Sequence, residues 1–200
     1  MYHSIMEYRE QIITTAKKLG AFRPKEIRAP RALLSELVHE GVLERSGRGL
    51  YRMLSFEPSE HHSLVEVSTR IPHAAISLLS ALQFHGIGTQ SPREVWVTIN
   101  VRARKPRLEY PPLRIMRASG TALSEGMEYH EIEGRKVPIY SVEKTLADCF
   151  KYRNKIGLDV ALEALKEAWA AKRVNMDSLW KHAQECRVTN VIRPYIEAIQ

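Results

Sequence analysis

The sequence predicts an α+β protein, on three observations. Helical periodicity and a Gly-Arg-Gly hairpin signal fill the first 55 residues, β-branched alternating runs lie between 95 and 140, and helical patterns occupy the remainder. The expected organisation is a small domain of helices and a hairpin over 1–55, a linker over 56–72, and a mixed α/β domain over 73–200 with a small sheet and a C-terminal helical half.

Composition limits the alternatives. Apolar residues make up 44% and charged residues 26% of the 200 residues, near the ordinary globular averages, so disordered, collagen-like and coiled-coil classes are excluded. Apolar runs such as Ala74-Ala75-Ile76 are far below the ~18 residues that span a bilayer, and the N-terminal residues have no signal-peptide apolar region. No membrane association and a cytoplasmic location are the expectation. Cys149 and Cys186 lie 37 positions apart without a CxxC or Cys-His spacing, so they are expected as buried thiols rather than a disulfide or zinc site.

The elements follow in order. Ile5, Tyr8, Ile12, Ala16 and Leu19 recur at helical steps over about 4–19, with Gly20 as the stop. Between Phe22 and Ile27 the sequence allows only a short second helix, because Pro24 suits a first helical position and Pro30 opposes continuation. Pro30 opens a third helix to Gly41, with Leu33, Leu34, Leu37 and Val38 as its apolar stripe. Val42 to Met53 then reads as two short strands around Gly47-Arg48-Gly49. Residues 55–63 are polar and aperiodic, and the His61-His62 pair is read as solvated for want of further ligands. His73 to Gly86 reads as one compact helix, Val95–Asn100 and Leu113–Arg117 as strands, and 128–140 as a hairpin. Ser141 caps a helix to Arg153, and helices over 159–171, 176–186 and 191–199 complete the chain.

Three helices closed by a basic hairpin is the winged helix-turn-helix order. A helix fits the major groove, where arginine reaches guanine acceptors, and a basic hairpin tip can lie on phosphate or in the minor groove. Thirty Lys and Arg against 23 Asp and Glu give a net charge of +7 and a pI near 9.5, in the range where a nucleic-acid footprint is sought. Ten basic side chains against six acidic ones fall in 1–54, and seven against two in 93–117. In the first district Arg31, Ser35 and His39 are expected to face bases, and Lys25 and Arg28 to approach phosphate. Arg48 is the expected wing tip, flanked by Arg45 and Arg52. The second is a possible further basic surface made of Arg93, Arg102, Arg104, Lys105 and Arg107. A solvated, edge-guarding loop is the competing reading there.

The chain resembles the antitoxin of AbiE-type (abortive-infection) bacterial toxin–antitoxin systems. Four segments carry the resemblance: Gly47-Arg48-Gly49-Leu50-Tyr51-Arg52, His73 through Gly86, Pro92-Arg93-Glu94-Val95-Trp96-Val97, and Tyr140 through Cys149. The resemblance implies a type IV antitoxin. Its winged helix would bind double-stranded repeats in its own promoter and repress transcription, while the C-terminal domain would counteract a nucleotidyltransferase-like toxin without a stable complex. It also implies no cofactor. A stand-alone winged-helix regulator with a C-terminal sensor or partner-binding domain is the alternative. No enzyme is expected, since the chain has no P-loop or GxGxxG, and Cys149 lies on the apolar face of its helix, where a thiol is inert. No metal site is expected either, and without a heptad pattern the chain is expected to be a monomer or a DNA-assisted oligomer.

Overall fold

The computed structural model describes the backbone of residues 2–19 and 21–199 and the side chains of 7–19 and 21–199. The Ile5 side chain and Gly20, given parts in the first helix above, lie outside the described residues. The fold is mixed α and β, in two compact units: residues 1–70 with 131–136, and residues 71–130 with 137–200.

The first unit begins with α1 (Tyr2–Lys17), whose Ile12 and Ala16 are buried as the helical spacing predicts. The predicted second helix is instead a single turn over 24–28. The Ala29 amide reaches back to the Pro24 carbonyl and Arg28 sits at φ +52°, a left-handed backbone that ends a helix before it can propagate. Next come α2 (Arg31–His39) and a hairpin of β1 (Leu43–Gly47) and β2 (Leu50–Met53), all where the sequence places them. Antiparallel pairing sets Glu44 opposite Arg52 and Arg45 opposite Tyr51, with an irregularity at Ser46 and the tip at Arg48-Gly49. Phe22 adds an antiparallel bridge to Tyr51, its amide 2.8 Å from the Tyr51 carbonyl. Ile12, Phe22, Ile27, Leu34, Leu37, Leu43, Tyr51 and Met53 form one core.

The linker expected over 56–72 requires correction, because most of it is α3 (His62–Arg70). Leu64, Val65 and Val67 are buried, and their steps of one and two within Ser63-Leu64-Val65-Glu66-Val67-Ser68 hide the helical period from a sequence reading. His62 is not solvated either. Its Nδ1 lies 2.9 Å from Glu133 in the segment 131–136, and the same carboxyl group accepts from the Ser59 amide and hydroxyl.

That segment approaches α1 very closely at Gly134, which adopts φ +70° and where any Cβ would lie 2.0 Å from the Lys18 carbonyl oxygen. Gly134→Ala is therefore expected to destabilise the first unit by at least about 1–2 kcal/mol from backbone conformation alone, with steric overlap added. Chemical unfolding followed by far-ultraviolet circular dichroism would measure it. A stability equal to that of the unsubstituted chain would show that this approach is not needed.

The second unit starts with β3 (Ala75–Ile76), then α4 (Leu78–Phe84), β4 (Val95–Asn100), β5 (Leu113–Ala118), the one-turn α5 (Thr121–Ser124) and the greater parts of β6 (Met127–Ile132) and β7 (Arg135–Tyr140), whose residues 131–132 and 135–136 belong to the first unit. Its sheet runs β5-β4-β3-β7-β6, with β4 parallel to β5 and β3 antiparallel to β4 but parallel to β7. The single helix expected over 73–86 is thus a strand and a shorter helix. Ala75 and Ile76 pair with Thr98 and Val97, and a two-residue apolar run carries no period that separates strand from helix.

After Ser141, whose side chain accepts the Lys144 amide as the predicted cap, come α6 (Val142–Lys151), the one-turn α7 (Arg153–Ile156), α8 (Leu158–Ala170), α9 (Met176–Glu185) and α10 (Thr189–Ile199). Leu146, Phe150, Leu165, Leu179 and Ile192 centre the core of this unit. Within it, α6 carries a polar cluster with no counterpart among the sequence expectations. Lys144 Nζ lies 2.6 Å from Asp148 and 4.6 Å from the centre of the Tyr140 ring, and the Cys186 thiol donates to Asp148 at 3.2 Å. Both cysteines are buried, as expected. Burial first, and then the Asp148 charge, push the Cys186 thiol up to about 12 and the Cys149 thiol higher still, so neither is a thiolate at neutral pH.

Candidate nucleic-acid interface

In the first unit the 23–31 loop, the start of α2 and the hairpin tip enclose an open groove of about 900 Å³. Arg23, Lys25, Arg28, Arg31, Arg45 and Arg48 all line it, together with Tyr51. Local structure explains the convergence. The two-way backbone bond between Phe22 and Tyr51 ties the loop to β2, and the Tyr51 ring faces Arg45, whose guanidinium lies 5.7 Å from its centre. The Tyr8 hydroxyl donates to the Arg28 carbonyl at 2.8 Å, holding the left-handed end of the loop against α1. Pro30 then directs Arg31 into the first turn of α2, where backbone N–H groups also favour an anion.

A second tier supports the tip. Gly47 lies so close to Arg70 of α3 that any Cβ would collide with its guanidinium. Arg70 in turn donates to the Ser46 carbonyl, and its own carbonyl accepts from Arg23 at 3.3 Å.

Charge pairing separates the groove from the rest of this unit. Glu36 and Glu40 are both paired with Arg9, Glu44 with Arg52, and Glu26 in bidentate fashion with Arg135 at 2.6 and 2.8 Å. Burial alone would raise the Glu26 carboxyl; the Arg135 hydrogen bonds and charge, with the Arg23 amide, outweigh it and hold its pKa below the usual carboxylate value. The acids nearest the groove are thus neutralised by cations that do not line it. Among the described residues, Lys25, Arg28, Arg31, Arg45 and Arg48 form no ion pair, and all five are exposed.

Placed on this geometry, the sequence-predicted residues divide. Lys25, Arg28, Arg31, Arg45 and Arg48 come together. Arg52 does not, because strand alternation turns it to the opposite face of the hairpin, where it is bound to Glu44. Ser35 and His39 are exposed on α2 one and two turns beyond Arg31, outside the groove lining. Arg23 was missed although it lies beside Pro24, and Arg135, distant in sequence, carries no local signal of its role.

Arg28 stores strain at the centre of this surface. A non-glycine residue at φ +52° costs of order 1–3 kcal/mol. Arg28→Gly is expected to raise the unfolding free energy slightly while weakening duplex binding, and denaturant titration beside DNA titration would detect the opposed changes. A glycine variant that is destabilised would contradict the strain.

In the second unit Arg93, Arg102, Arg104, Lys105 and Arg107 are all exposed, but only Lys105 of these lines a recess beside β5. Among the described residues no group of three or more His, Cys, Asp or Glu is placed to hold a metal, and no helix is long and apolar enough to cross a membrane.

The fold is similar to that in the crystal structure of the RV2827C protein from Mycobacterium tuberculosis, with a TM-score of 0.59 over 89% of this chain and 71% of that one, at 12% sequence identity. At that identity the likeness concerns the fold alone. No family model matches the chain, and no curated protein does.

Proposed function

We propose that the first unit is a winged helix-turn-helix that binds double-stranded DNA in the promoter of its own gene, and that the chain is an AbiE-type antitoxin and autorepressor. The observation that carries the DNA reading is the convergence of six cations, from a loop, a helix start and a hairpin tip, on one groove whose neighbouring acids are neutralised from elsewhere. Such an array neutralises phosphates at the positions where α2 and the hairpin meet a duplex. Arg31, the first residue of α2, would read a base edge, and Arg48, at the hairpin tip, would contact phosphate. Repression follows by occupancy of the promoter. The antitoxic part of the reading rests on the segments His73–Gly86 and Tyr140–Cys149 and assigns that role to the second unit.

A transcriptional fusion to the DNA upstream of the gene tests the first part. The full chain should silence it, and a chain with Arg31→Ala and Arg48→Ala should not. Rescue of growth from a co-expressed nucleotidyltransferase-like neighbour tests the second, and the same double variant should still rescue. Silencing without any rescue would leave a stand-alone regulator.

A further inference from the structure

The second unit carries a basic recess of about 390 Å³ along β5, the edge strand of the five-stranded sheet. Four cations from three separate elements line it: Lys105 from the loop before β5, Arg114 and Arg117 from opposite faces of β5, and Lys155 from α7. Three of them are held in place. The Arg114 guanidinium lies over Trp96 at 5.6 Å, and Lys155 lies over Tyr152 at 5.6 Å. Arg117 Nη1 donates to the carbonyls of Asn100, Val101 and Ala103.

Among the described residues none of the four is paired with a carboxylate, and the two acids of this segment, Glu94 and Glu109, do not line the recess. Cations on an edge strand guard against strand pairing. That role does not require Lys105 and Lys155, which lie off the strand yet face the same recess. The convergence opposes like-charge repulsion with no counter-charge from the chain, so its natural complement is an anion from outside.

We propose that this recess binds the phosphate backbone of a single-stranded nucleic acid, independently of the duplex-binding groove of the first unit. Tyr110, 70% exposed in the loop that carries Lys105 and leads to β5, lies outside the recess lining and offers a stacking face next to it along the chain.

The test is fluorescence anisotropy of the full chain with a labelled oligouridylate of about 15 nucleotides, across about 50–200 mM salt. Lys105→Ala, Arg114→Ala and Lys155→Ala combined are expected to weaken binding at least about tenfold and to flatten the log–log salt slope by about 2, at roughly 0.7 for each phosphate no longer neutralised. Lys105→Glu with Lys155→Glu, which keeps the Arg114–Trp96 stack, should act in the same direction if the triple variant unfolds. Arg31→Ala with Arg48→Ala should weaken duplex binding about thirtyfold or more and keep the oligouridylate affinity, so the two sites fail separately. Unchanged affinity and slope in both recess variants would overturn the proposal. So would a labelled oligoglutamate that binds more tightly than the RNA and is released by the same substitutions.

Discussion

Asp148→Ala is expected to destabilise the second unit by about 3–5 kcal/mol. Lys144 and Asp148 are 1% and 3% exposed, one helical turn apart on α6, and their ion pair lies inside the core. Removing the carboxylate leaves the Lys144 ammonium group beside the Tyr140 ring and the neutral Cys186 thiol, neither of which carries a compensating charge. The Cys186 thiol also loses its acceptor. An uncompensated buried charge is far more costly than the absence of the pair. Lys144→Met combined with Asp148→Leu is therefore expected to recover most of the loss. Trp96, Trp169 and Trp180 all belong to this unit, so tryptophan fluorescence during urea unfolding reports on it directly. A single variant as stable as the unsubstituted chain, or a double variant worse than the single, would contradict the buried-charge account.

The second large effect is on binding. Arg28→Ala, Arg31→Ala and Arg48→Ala together are expected to weaken duplex DNA binding about a hundredfold or more, at roughly 1–2 kcal/mol for each arginine removed. The three arginines come from the loop, the helix start and the hairpin tip, and all are exposed, so folding should be spared. Taken singly they should differ. Arg31→Ala is expected to relax sequence preference at one position, whereas Arg48→Ala should weaken cognate and scrambled DNA alike and flatten the salt slope by about 1. Equal losses on both duplexes for both single variants would overturn this division of labour.

Much of this arrangement is legible in the sequence. The stripe Leu33, Leu34, Leu37, Val38 marks α2 because helical period and a preceding proline agree, and Gly47-Arg48-Gly49 between short β-prone runs marks the hairpin. Ser141 announces α6 by its cap. Five of the eight residues expected at the DNA face share one groove for the same reason: they lie on neighbouring elements whose geometry is local.

What could not be read depends on pairing over distance. Arg52 has the character of a wing residue until strand register turns it toward Glu44. The 56–72 segment reads as a linker because its first half is polar with a proline and the apolar Leu64, Val65 and Val67 of α3 do not recur at three- and four-residue steps. The Glu26–Arg135 pair joins residues 109 positions apart, and no sequence period carries such a pairing. Lys144 and Asp148 do stand at helical spacing, and a charged pair there reads most simply as a solvated face; only the surrounding helices bury it.

Fluorescence anisotropy with the duplex upstream of the gene against a scrambled duplex, across a salt series, tests the DNA-binding account most directly. Binding at least about a hundredfold tighter to the chain's own DNA is expected, with a log–log salt slope near −0.9 for each phosphate neutralised. Equal affinity for both duplexes, or no binding to either, would contradict it.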